Sequence, residues 1–186
     1  ITQAIGASII PLETIKRVCG NLLDNLNLKI TIPGILAIDT PGHEAFTNLR
    51  KRGGALSDIA ILVVDITEGF KPQTIEAVDI LKQSRTPFVV AANKVDIIQG
   101  WNSSGRPLIT TISDLGTEAS KIFETRLYEL VGQLAENGLE SERFDRVEDY
   151  TKQIPIVPTS AATGDGIPEL LMVITGLAQK YLEQSL

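Results

Sequence analysis

Cysteine is almost absent from this chain: Cys19 is the only one in 186 residues. A single thiol cannot close an internal disulfide, so no disulfide framework holds the fold, and a reducing cytoplasm suits it. Cys19 falls at helical spacing among apolar residues and reads as a small buried hydrophobe. Positive charge is also short, with 17 Lys and Arg against 23 Asp and Glu, a net charge of −6 and a pI of about 4.9. That balance argues against a free-standing nucleic-acid binder, DNA in particular, while leaving room for RNA contact through other domains. Apolar runs stop at strand length, far short of a membrane span, so no membrane partner is expected. The first residues do not read as a secretory signal, and the chain opens on Ile1-Thr2-Gln3 without an initiator Met.

What is present is ordinary for one globular domain with a sizeable core: 43% hydrophobic and 22% charged residues. Residues 7–10 read as a short strand closed by Pro11. Ile15, Val18, Cys19, Leu22, Leu23 and Leu26 form the apolar stripe of a helix over 12–26. Leu28 to Ile32 alternates as a short strand. Ile35–Ile38, Ile59–Val64 and Pro87–Ala92 are continuous apolar runs, the pattern of buried parallel strands. Between and after them lie helical patterns over 44–52, from Pro72, over 114–137 and from Pro168, with a loop at 97–112. Phe144, Val147 and Thr151 suggest one more short helix, and Ile154 to Val157 a last strand. Alternating strands and helices predict an α/β fold of three layers with a mostly parallel sheet. The chain is expected to be one domain over 1–186, with a helical insertion at about 111–150.

Three of these strands end in polar signatures: Asp39-Thr40-Pro41-Gly42-His43, Asn93-Lys94-Val95-Asp96 and Ser160-Ala161-Ala162. The C-terminal ends of parallel strands are where α/β proteins bind ligands. Guanine presents adjacent N1–H and N2–H donors, which one fixed carboxylate can accept together; adenine offers neither. Asp96 would be that carboxylate and Asn93 would brace the loop and touch the base. The aliphatic stem of Lys94 would lie over the purine, its ammonium left in water. A backbone amide near Ser160 or Ala161 would meet the guanine carbonyl. Asp39 would hold a water in a Mg²⁺ shell, since Mg²⁺ keeps most of its waters. Gly42 would bring its N–H to a terminal phosphate. His43, the only histidine, would sit beside the attacking water.

Asp39 to Thr74 (DTPGHEAFTNLRKRGGALSDIAILVVDITEGFKPQT) together with Asn93-Lys94-Val95-Asp96 resembles the translational GTPases. Residues Ile1 to Ala7, Gly100-Trp101 and Ser141-Glu142-Arg143-Phe144-Asp145-Arg146 bring it closest to the archaeal and eukaryotic initiation factor 5B branch of the initiation factor 2 family. The resemblance implies a GTP-binding domain of the P-loop-NTPase kind, with GTP or GDP and Mg²⁺ as ligands. It implies Thr2 as a Mg²⁺ ligand beside Asp39 and His43 as the water-positioning group. Through the full-length protein it implies the ribosome and initiator tRNA as partners, subunit joining as the process, and ribosome-stimulated hydrolysis as the activity.

One element of that pattern is missing. The phosphate-cradling G-x-x-x-x-G-K-[S/T] run is not found. Gly100 to Gly105 comes nearest, but Arg106-Pro107 follows it and no strand precedes it. The expectation is a domain without its first, central strand, phosphate loop and first helix, and inactive as this fragment alone. The strands at 35–39 and 59–65 should then not pair, being separated by about 9–10 Å, and such a chain alone would expose unpaired edges. The alternative is a degenerate GTPase-fold module that binds partners without hydrolysis.

Overall fold

The computed structural model describes residues 6–26, 29–39 and 59–184. The expected helix at 44–52, together with Thr2, Gly42 and His43, lies outside them, and for Asp39 only the backbone is described.

Strands β1 (Gly6–Pro11) and β2 (Gly34–Asp39) form an antiparallel pair, with Gly6 opposite Asp39 and Pro11 opposite Gly34. Between them run helix α1 (Leu12–Cys19) and a 3-10 segment, Gly20–Leu26. The stripe predicted as one helix is broken because Gly20 adopts φ +53°, a conformation that ends an α-helix. The second sheet is parallel throughout, in the order β3-β4-β6-β5. Its strands are β3 (Ala60–Asp65), β4 (Phe88–Asn93), β5 (Ser141–Arg143) and β6 (Ile154–Pro158). β2 and β3 belong to different sheets and do not pair, as expected, but the 35–38 run is not the parallel strand anticipated: the adjacent β1 takes it as an antiparallel partner.

Side chains alternate across β4 and β6, and so feed two cores. Val90, Ala92 and Ile156 face α2 (Pro72–Gln83) and α4 (Thr117–Glu136), which add Val78, Leu81, Phe123, Leu127, Leu130 and Leu134. Val89 and Val157 face α5 (Ile167–Gln184), which adds Val173, Ile174 and Leu177. The result is a helix–sheet–helix sandwich, whose central strand β4 is buried on both faces. The 111–150 segment is built into this sandwich: α4 covers one face of the sheet and β5 extends its edge.

Four local readings change. Residues 29–33 form no strand; the N–H groups of Thr31 and Ile32 donate instead to Oε1 of Gln179, at 2.9 and 3.2 Å. The 97–112 loop contains a short helix, α3 (Leu108–Ser113), whose Leu108 N–H donates to the buried carboxylate of Glu169 at 3.1 Å. The expected helix after Phe144 is a single 3-10 turn, Phe144–Arg146, stitched by Arg143 to Asp145 and Glu124. Strand β3 stands at the sheet edge among the described residues, as expected, but is buried on one face only: Ile61 and Val63 are 45% and 61% exposed, while Leu62 and Val64 are buried. Cys19 is the small hydrophobe expected; burial, with Glu169 nearby, pushes its thiol up to about 11.

Candidate functional site

The parallel strands β3, β4 and β6 deliver Asp65, Asn93 and the segment from Thr159 to one end of the sheet. Their ends are locked by main-chain bonds: Ile66 N–H to Asn93 O at 3.0 Å, Thr159 N–H to Ala92 O at 2.8 Å, and Val95 N–H to Thr159 O at 3.1 Å. These bonds fix the loops after β4 and β6 side by side before any side chain is considered.

The side chains then join the loops. Ser160 Oγ donates to Asp96 Oδ1 at 2.8 Å. Asn93 Oδ1 accepts from the Ala161 N–H at 3.0 Å and from Thr159 Oγ1 at 3.4 Å. These bonds orient the Asn93 amide so that its NH₂ is left over. Among the described residues neither the Asn93 NH₂ nor Asp96 Oδ2 has a hydrogen-bond partner. Asp96 is half-buried and Ser160 fully buried, so a hydroxyl held in the interior steers a carboxylate at the rim. Asn93, Asp96, Ser160 and Ala161 are therefore brought together as the sequence anticipates. The Ser160 N–H donates to Asp165 O at 2.8 Å and the Ala161 N–H to Asn93 Oδ1.

Lys94 adopts φ +71° and ψ 32°, the left-handed region, where a lysine is uncommon. Such backbone outliers gather at binding sites, where the surroundings enforce them. Its ammonium, expected in water, is half-exposed and lies 3.2 Å from Asp65 Oδ2. Asp65, the last residue of the 59–65 strand, is not singled out by the sequence. Partial burial alone would raise the Asp65 pKa, but donation from the Thr67 hydroxyl and N–H, at 2.6 and 2.8 Å, and the Lys94 charge outweigh it and lower it.

Asp165 is a second residue that sequence reasoning misses. Its Oδ2 accepts from Trp101 Nε1 at 3.0 Å, from Thr163 Oγ1 at 2.9 Å and from Ser103 Oγ. Burial pushes its carboxyl up, and these three donors more than reverse that, holding it below the ordinary carboxylate value. The Gly164-Asp165-Gly166 run is its signal, since such a run closes a tight turn. A Cβ on Gly166, at φ +77°, would lie 1.9 Å from the Pro158 carbonyl oxygen. Gly166→Ala should therefore cost about 3 kcal/mol or more, combining left-handed strain with a backbone clash. Denaturant titration of the intact protein measures it, and a loss under about 1 kcal/mol would mean the turn is not held as described.

Among the described residues no three His, Cys, Asp or Glu side chains converge on a metal position, and no helix is long and apolar enough to cross a membrane. A cleft of about 680 Å³ opens at the opposite end of the sheet, beside Arg85, Phe88, Ile154 and Tyr181, away from the strand-end site.

Known proteins share this fold. Residues 13–180 match the elongation factor Tu GTP binding domain. A probable translation initiation factor IF-2 of Methanopyrus kandleri is 61% identical over the whole chain, which spans 31% of that protein. Its counterpart in Methanocaldococcus jannaschii is 59% identical, with 16% of its length covered. The crystal structure of GDP-bound aIF5B from Aeropyrum pernix superposes with a TM-score of 0.88 at 52% identity, covering 99% of this chain and 31% of that one. The chain thus spans a third or less of these relatives. With 13–180 matched, most of its sheet and both its cores fall within one described family, and the chain belongs to the elongation factor Tu GTP-binding domain family.

Proposed function

We propose that this chain is the guanine-nucleotide-binding part of a GTP-hydrolysing translation initiation factor. The observation that carries the reading is Asp96, held by Ser160 on one oxygen and without a partner on the other among the described residues. A braced carboxylate at a strand end accepts from guanine N1–H and N2–H; adenine would leave its charge unpaired, a mismatch that costs factors of about 10⁴–10⁵. Asn93 turns its unused NH₂ toward the base. The Lys94 stem covers the purine face while its ammonium pairs with Asp65. Ser160 and Ala161 serve by bracing Asp96 and Asn93.

The phosphate end rests on sequence resemblance. Gly42 would meet the terminal phosphate and His43 the attacking water. Thr2 and Asp39 would hold Mg²⁺, which neutralises charge on the phosphates when bound. The domain is read as 1–186 with about 111–150 as its helical insertion. The ribosome and initiator tRNA are the partners proposed for the intact protein, which works in the cytoplasm.

The test is GTP hydrolysis by the intact protein with and without ribosomal subunits. Slow turnover alone and marked acceleration with both subunits is the expected result. Nucleotide binding with no hydrolysis in either case would leave a binding module instead.

A further inference from the structure

We propose that Asp165 is a positioning residue for base recognition: through Trp101 and Ser103 it fastens the loop after β6 to the loop after β4, and so holds Ser160 where it braces Asp96. The inference rests on the guanine-reading assignment above and adds to it residues that never touch the base.

The fixed side of the fastening is Trp101. Its ring packs against Phe123, with centroids 5.7 Å apart, and it touches both cores of the sandwich. Its backbone N–H donates to Ile98 O at 2.9 Å. Gly100, at φ +91°, sits so close to α4 that a Cβ there would lie 2.8 Å from the Ala119 Cβ, so the chain at Trp101 is pressed onto that helix. The indole N–H therefore points at Asp165 from a nearly immovable base.

The adjustable side is the turn from Ala161 to Gly164, which is exposed. Asp165 itself is 8% exposed and gathers three donors on one oxygen. Its own carbonyl accepts the Ser160 N–H at 2.8 Å, so any shift of Asp165 passes through one bond to Ser160. The Gly164 N–H to Ser160 O bond at 2.8 Å and the Thr163 N–H to Ser160 Oγ bond at 3.1 Å close the same ring. Without the anchor, the loops would be held beyond the strand ends by the Val95 N–H to Thr159 O bond at the base and, farther out, by the Ser160–Asp96 and Ala161–Asn93 side-chain bonds. Asp96 is half-buried and Ala161 exposed, so water competes at that end of each of these two side-chain bonds.

The test uses the intact protein and two variants. Asp165→Asn keeps the shape but removes the charged acceptor. Trp101→Phe keeps an aromatic ring beside Phe123 and removes only the donor. Dissociation of a fluorescent GDP analogue should be faster by about tenfold in Asp165→Asn, the loss expected for a hydrogen bond to a charged acceptor, and by a smaller factor in Trp101→Phe. A purely structural role would not make Trp101 sense the nucleotide. Coupling is reciprocal, so GDP should slow exchange of the Trp101 indole hydrogen, the resonance missing in Trp101→Phe. Dissociation rates within about twofold of wild type in both variants, or an indole exchange rate indifferent to GDP, would overturn the proposal. The base-reading assignment is checked separately by the base preference of Asp96→Asn; if that inverts while Asp165→Asn is silent, only the positioning role falls.

Discussion

Asp96→Asn is expected to invert the base preference of the site, from guanine to xanthine. The carboxylate accepts from guanine N1–H and N2–H. An amide in its place presents a donor where the guanine amino group also presents donors, and the pair cannot bond. Xanthine carries an oxygen at that position and accepts from the new NH₂. The substitution is nearly isosteric, and the oxygen of the new amide can still accept from Ser160 Oγ, the bond of 2.8 Å that orients the group. The lost and gained bonds lie at one position, so the ratio of GDP to XDP affinity should change by about 10⁴. Competition of the two diphosphates for a fluorescent guanine nucleotide on the intact protein reads that ratio. An unchanged preference would remove Asp96 from base recognition.

His43→Ala should separate hydrolysis from binding. His43 follows Asp39-Thr40-Pro41-Gly42 directly and is the only histidine in the chain. If its part is to place the attacking water, its removal leaves the nucleotide bound and the water unplaced. Misplacement of a reacting group costs on the order of 10²-fold or more. Ribosome-stimulated turnover should fall by at least that factor while GTP and GDP affinities stay near wild type, since the base is read by Asn93 and Asp96 in the loop after β4, far from His43 in the sequence. Single-turnover hydrolysis alongside equilibrium binding distinguishes the two. An equal loss in both would sink the water-positioning role.

Much of this arrangement is legible because strand ends and motifs coincide. Val89 to Ala92 is apolar without interruption and then stops at Asn93-Lys94-Val95-Asp96, so both the central strand and its loop can be placed from the sequence. Ser160-Ala161 follows β6 in the same manner. The misreadings share a physical origin, which is that partners distant in sequence decide them. Leu28 to Ile32 alternates like a strand, yet the acceptor for the Thr31 and Ile32 N–H groups is the Gln179 side chain. Leu108 to Ser113 is too short for a clear period and is held at its start by Glu169. Ile61 and Val63 lie on an exposed face of β3, where an apolar run by itself implies two covered faces. Asp65 and Asp165 escape notice as site residues because their importance lies in whom they meet: Lys94 in one case, Trp101, Ser103 and Thr163 in the other.

The central claim is that the loops after β4 and β6 form a guanine-reading site. Its most direct test is competition of GDP and ADP for a fluorescent GDP analogue on the intact wild-type protein. The account predicts that GDP displaces the analogue at concentrations lower than ADP by a factor on the order of 10⁴. Displacement by ADP at concentrations comparable to GDP would contradict it.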